Sequence, residues 1–256
     1  MFTLAMVHDT LGAGLLGACL LAALFVAPAT ARAQHWTLYN ALLTEHVAPA
    51  EREGVSFNAV DYAAWARDPR YPQVLVQVEN FPLDTLQSTA DKVAFYSNVY
   101  NLYAIRMVID HLPLESIRDA GSLFSPVWKK PVGMLGGRMV TLDEIEHQIL
   151  RPLGEARIHF AIVCASLSCP DLRREAFTAA QLDAQLEDQT RRFLENASKG
   201  LRVEGSQVQV SQIFDWFEED FDSAGGVEAF VRRYRELPSQ VRLRAAIPYD
   251  WNLNAQ

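Results

Sequence analysis

The residues best suited to chemistry fall in one stretch, Arg157-Ile-His159-Phe-Ala-Ile-Val-Cys164-Ala-Ser166-Leu-Ser168-Cys169-Pro170. A cysteine attacks as its thiolate, which needs a base within hydrogen-bond reach and a group that orients that base. His147 and His159 are the candidates. The apolar, β-biased run from Arg157 to Ser166 reads as a buried strand. Alternation along a strand puts Phe160, Ile162 and Cys164 on one face and His159 on the other. His147 belongs to a separate element and is therefore the better base. Asp143 and Glu144 precede it, and Arg151 follows it, at helical neighbour spacing. A carboxylate there would fix the tautomer of the ring. Glu146 points elsewhere on the same helix and can reach a neighbouring element.

This set would serve attack on an amide or acyl carbon by a cysteine-dependent hydrolase or acyltransferase. Cys164 and His147 are then the catalytic pair. Asn98 or Asn101 would orient the base or polarise a carbonyl, with Glu146, His159, Ser166 and Cys169 as further binding or orienting groups. The substrate would be a small molecule or peptide. Each residue also has a plainer reading. Cysteine packs well as a small hydrophobe, and an exported Cys164–Cys169 pair invites a disulfide. Glu144 completes a capping box with Thr141. Asn98 and Asn101 share one face of a buried helix, so they either satisfy the backbone of a neighbouring loop or line a cleft. Asp215-Trp216-Phe217 and Asp250-Trp251 read as packing anchors. On these plainer readings the chain is a binding module for a peptide or a component of the cell envelope. His159, Cys164 and Cys169 recur at regular intervals but match no zinc spacing, so neither a metal nor a cofactor is expected.

The elements that must position these groups are mixed. Helices are expected over Trp36 to His46, Ala63 to Arg67, about Asp91 to His111, Thr141 to about Leu150, Ala179 to Asn196, Ile213 to Phe221 and Val227 to Leu237. The longest carries Val93, Ala94, Tyr100, Ala104, Met107 and Val108 at helical spacing, and Pro113 closes it. Asn58 to Tyr62 reads as a short strand or turn, and Leu83 to Ser88 as a turn. Hairpins are expected over Val127 to Val140, turning at Gly136-Gly137, and over Leu201 to Val210. Irregular mixing of helices and strands indicates an α+β fold, with central helices packed on a small antiparallel sheet.

The chain has 256 residues, 50% of them hydrophobic and 21% charged, with a net charge of -8. That charge argues against nucleic acid as a partner. Leu11 to Pro28 is apolar and is followed by Ala31-Arg32-Ala33, the pattern of a signal peptide cleaved after residue 33. An uncleaved anchor and lipidation at Cys19 are the alternatives. Residues 34–256 are then expected to form a single globular domain with no stable membrane span, periplasmic or secreted, and of unspecified oligomeric state.

Four stretches resemble, in order, the family called domain of unknown function 547. They are Ala94-Phe-Tyr-Ser-Asn98-Val-Tyr100-Asn101, Leu142-Asp-Glu-Ile-Glu146-His147 through Arg151, the segment from Arg157 to Pro170, and Tyr249-Asp250-Trp251-Asn-Leu-Asn254. The family's plant branch keeps a cysteine matching Cys164 and has serine where Cys169 stands. The resemblance implies a fold and a candidate site but no established reaction. A helix against a sheet, with Cys, His and a polar orienter, is also the layout of papain-like and transglutaminase-like folds. Those folds place the cysteine at the start of the central helix, where this chain has Asn98.

Overall fold

The computed structural model describes Met1 and residues 36–122, 124–205 and 207–256. The expected signal peptide, 1–33, lies outside the described residues apart from Met1. The organising element is helix α4 (Thr89–Ile109), whose residues are buried on nearly every side. Ser88 starts it with a capping box: its Oγ accepts the Asp91 N–H at 3.0 Å and Asp91 Oδ2 accepts the Ser88 N–H at 3.0 Å. The helix therefore begins two residues before the expected start, because Asp in place of Glu at the third position closes the same box.

Three short elements and a hairpin precede α4. These are α1 (Thr37–His46), β1 (Val47–Arg52), β2 (Val55–Val60), α2 (Tyr62–Arg67) and α3 (Arg70–Glu79). The β1–β2 hairpin and α3 were not expected from the sequence. Pro49 and the charged Glu51 and Arg52 hide β1, and α3 follows directly on the Asp68-Pro69 turn. After α4 come β3 (Pro131–Leu135) and β4 (Arg138–Thr141), antiparallel and joined at Gly136-Gly137, whose positive φ values of 58° and 77° suit glycine. Gly133 in β3 lies flat on the Tyr103 ring of α4. A Cβ there would meet that ring at 2.3 Å.

The remaining elements are α5 (Glu144–Leu150), α6 (Ile158–Ala161), α7 (Leu182–Glu195), β5 (Leu201–Glu204), β6 (Gln207–Val210), α8 (Ile213–Trp216), α9 (Gly226–Arg232) and β7 (Arg242–Ala245). The fold is α+β, as expected. The strands, however, form three separate small sheets, and β7 pairs with β6 in parallel. One further expectation fails: residues 158–161 form a helical turn and 162–164 belong to no strand. Apolar runs of this length do not distinguish a buried strand from a buried helical turn.

Among the described residues two main hydrophobic cores result, beside a small cluster of Phe57, Ala59 and Leu167. The larger surrounds α4 and includes Tyr39, Trp65, Leu102, Tyr103 and Ile145. The smaller is a cluster of rings, Phe160, Phe193, Phe214, Phe221 and Phe230. The C-terminal segment is stitched to the cysteine loop. The Leu167 N–H donates to the Asn252 carbonyl at 2.9 Å, Ser168 N–H to that of Asp250 at 3.2 Å, and Asn254 N–H to that of Ala165 at 3.0 Å. Among the described residues no helix is long and apolar enough to cross a membrane.

Candidate functional site

The two cores meet at a cleft of about 220 Å³ lined from both sides. Its placement starts with the two asparagines of α4. Asn101 donates from Nδ2 to the Ala161 carbonyl at 2.9 Å and accepts the Val163 N–H at 2.8 Å. Asn98 does the same for Phe177, at 2.8 and 2.9 Å. Each amide thus completes the backbone of a neighbouring segment, and neither lines the cleft. Of the two readings open from the sequence, the structural one holds. Asn101 fixes the segment that delivers Cys164.

One wall is polar. Asp143, Glu146 and His147 project from α5 and the residue preceding it. That helix runs in widened π turns, a form frequent at functional sites. Its capping box is present, with Thr141 Oγ1 accepting the Glu144 N–H at 3.0 Å and Glu144 Oε2 accepting the Thr141 N–H at 2.8 Å. Glu144 therefore belongs to the helix start, as expected. Glu146 accepts from Tyr100 Oη of α4 at 3.2 Å. Burial pushes its carboxyl up to about 7, outweighing Tyr100 and Arg151, which pull it down.

Behind this wall lies a charged chain. Arg151 grips Asp220 with two parallel bonds, Nε to Oδ2 at 2.7 Å and Nη2 to Oδ1 at 2.9 Å. Its Nη1 donates to His147 Nδ1 at 3.0 Å. His159 Nε2 lies 2.6 Å from Asp220 Oδ2. Burial pushes the His159 imidazole pKa down, more strongly than Asp220 raises it. Burial pushes the Asp220 carboxyl up, but the bonds from His159 and Arg151 prevail and hold it well below the usual carboxylate range. The His159 ring therefore donates Nε2–H to an ionised Asp220. Phe217 stacks on that ring, with centroids 4.0 Å apart, and Arg151 covers Phe217 at 5.3 Å.

The other wall is aromatic. Trp216, Tyr249 and Trp251 pack on one another with centroids 4.6–5.8 Å apart, and Trp128 stands 6.3 Å from Trp251. Trp216 is 44% exposed. Cys164 and Cys169 also line the cleft and are joined as a disulfide. The Tyr249 hydroxyl lies 3.2 Å from Cys164 Sγ and 3.3 Å from Cys169 Sγ, and Ser166 Oγ is 3.3 Å from Cys164 Sγ. The Cys164 N–H donates to Cys169 Sγ at 2.8 Å.

The structure brings together Cys164, Cys169, His147, His159 and Glu146 and keeps Ser166 buried beside the bridge. Because residues 158–161 are helical, strand alternation does not apply, and His159 shares the cleft with Cys164. Among the described hydrogen bonds of the Cys164 sulfur the partners are hydroxyls, with no ring nitrogen; the nearest partner of His147 is Arg151. The tryptophans read as packing anchors, Trp216 and Trp251, stand on the cleft wall. Sequence reasoning also passed over Asp220, one of four acids in a short run, where nothing marks which of them turns toward a histidine. Tyr249 was visible only as part of the terminal motif.

Residues 83–194 match the family described as "Protein of unknown function, DUF547". That span carries α4, α5, His159 and both bridged cysteines, whereas Trp216, Asp220 and Tyr249 fall outside it. No curated protein and no solved structure matches the chain.

Proposed function

We propose that this chain, which carries a DUF547 region over 83–194, is a binding module whose cleft takes the ammonium end of a peptide or small molecule. The observation that carries this reading is the exposed Trp216 face in the same cleft as the Glu146 and Asp143 carboxyls. An ammonium gains from the negative face of an indole and from a carboxylate together, most of all where water is partly excluded. Rings lining the cleft already accept cations: Arg118 lies 5.1 Å from the Trp251 centroid and Arg151 covers Phe217. Among the described cation–ring contacts Trp216 has none. A net charge of -8 favours the approach of cations.

Cysteine-dependent hydrolysis or acyl transfer in this cleft would need Cys164 as a free thiolate with an imidazole in reach. The bridge occupies that sulfur, so binding is the better-supported reading. An oxidising compartment outside the cytosol suits such a bridge. The test titrates the protein with N-acetyl-lysine methylamide and with its norleucine counterpart, which has the same stem without the charge, and follows tryptophan fluorescence. Saturable binding of the lysine compound alone is expected. Equal binding of both, or of neither, defeats the ammonium reading.

A further inference from the structure

We propose that the Cys164–Cys169 bridge is a redox centre that exchanges with a dithiol entering the cleft. This goes beyond the binding reading and does not depend on it. Four observations carry it. The bridge lies on the cleft wall, with Cys164 half-buried and Cys169 only 3% exposed. Both sulfurs face donors: the Tyr249 hydroxyl stands near each of them, Ser166 Oγ is beside Cys164, and the Cys164 N–H points at Cys169. Donors of this kind stabilise a thiolate and so improve it as a leaving group. The loop is also held independently of the bridge. Asn101 fixes Val163, and backbone bonds to residues 250–254 fix Ala165, Leu167 and Ser168. Two freed thiols would therefore stay within reach of each other. Finally, the cysteines are five residues apart. A bridge closing so short a loop constrains the unfolded chain least, so stability alone gives weak reason for it.

The exchange balances as follows. A thiolate of the incoming dithiol attacks Cys164 Sγ, forming a mixed disulfide. The Cys164–Cys169 bond breaks, and Cys169 leaves as a thiolate held by the Cys164 N–H and Tyr249. The second thiol of the incoming molecule then attacks its own sulfur in the mixed disulfide and releases Cys164. The incoming dithiol is oxidised by two electrons to a disulfide. The protein bridge is reduced, and the two protons given up end on Cys164 and Cys169.

The test incubates the full chain with dithiothreitol and bis(2-hydroxyethyl) disulfide at pH 7 and follows consumption of the dithiol. The wild-type chain should raise the rate roughly tenfold or more over buffer, and Cys164→Ser should remove that gain. Tyr249→Phe should slow exchange several-fold and move its pH profile upward, because the leaving thiolate loses a donor. A wild-type rate equal to buffer overturns the proposal, as does full activity in Cys164→Ser. Should Cys164→Ser fail to fold, Cys169→Ser decides. It frees Cys164 while Cys19 is the other remaining cysteine of the full chain, so the mixed disulfide is located by peptide mass: an adduct on Cys164 of the folded chain is expected, and its absence from Cys164 overturns the proposal. Lysine-amide binding is measured separately on the wild-type chain, so exchange without binding and binding without exchange each defeat only one of the two readings.

Discussion

Two regions of the molecule use the same three residue types. Near the end of α1, Asp68 is bonded to His46 Nε2 at 2.9 Å and to Arg70 Nε at 2.8 Å. At the cleft, Asp220 is bonded to His159 Nε2 at 2.6 Å and to Arg151 Nε at 2.7 Å. Each histidine lies against an aromatic ring, His46 beside Trp65 at 5.7 Å and His159 on Phe217 at 4.0 Å. Both aspartates are held below the usual carboxylate range, Asp68 chiefly by Arg70 and Asp220 by His159 and Arg151 against its burial. Glu45, His46 and Asp68 even lie close enough together to hold a metal. The Arg70 guanidinium, however, pairs with both carboxylates and supplies the positive charge. A carboxylate between a histidine and an arginine is thus one way of keeping three polar groups satisfied beside a core. It does not by itself make a site. What sets the second cluster apart is its surroundings: a cleft, an exposed indole, a disulfide, and a carboxyl that titrates near 7.

Removing the central carboxylate tests the contrast most strongly. Asp220→Ala leaves His159 buried and Arg151 unpaired, and should lower unfolding stability by about 2–4 kcal/mol in urea titration. It should also abolish binding of the lysine amide. Asp68→Ala should destabilise too but leave binding intact in the fraction that folds; loss of binding there would erase the distinction. In the wild type the contribution of both aspartates is full above the ordinary Asp range, because their folded-state pKa values are lowered. It is lost as pH falls through those lowered values.

Glu146 has the opposite sign. Its folded-state pKa is raised to about 7, so the native state binds the proton more tightly than the unfolded chain. Stability falls as pH rises from the ordinary Glu value toward 7. Glu146→Gln should therefore gain about 1–2 kcal/mol at pH 8 and little at pH 5, after allowance for the solvent the cleft admits. Lysine-amide affinity should rise through pH 7 in the wild type and stay flat in the variant.

Trp216→Ala should weaken binding by about 1 kcal/mol, measured by calorimetry, and barely move the melting temperature. The smallest effect is expected from His147→Ala. That ring is 39% exposed and its hydrogen bond is to Arg151, so stability should change by less than about 0.5 kcal/mol. A loss of binding as large as that from Asp220→Ala would restore His147 to the centre of the site.

Much of the scaffold could be read from local pattern. The long helix announced itself by apolar spacing, the β3–β4 turn by Gly136-Gly137, and the start of α5 by Thr141 and Glu144. These signals are local because capping, φ preference and periodicity are settled within a few residues. Misread elements failed for equally physical reasons. Phe160 and its neighbours are buried on all sides in a helical turn, so no period survives to separate turn from strand. Asn98 and Asn101 announced a need for partners and left open whether a loop backbone or a cleft supplied it; the structure gives the loop backbone, at Phe177 and at Ala161 and Val163.

The amino-acid order alone determined an α+β chain with a central buried helix, a capped helix start at Thr141, a nearby cysteine pair and a family resemblance that holds over residues 83–194. Only the tertiary structure decided that Cys164 is bridged, that His159 faces the cleft alongside His147, and that Trp216, Trp251 and Tyr249 form one of its walls. The reason is range. Capping and periodicity act between neighbours in the chain. The cleft is built where α5, the cysteine loop, α8 and the C-terminal segment converge, and that convergence is set by how two cores pack against each other.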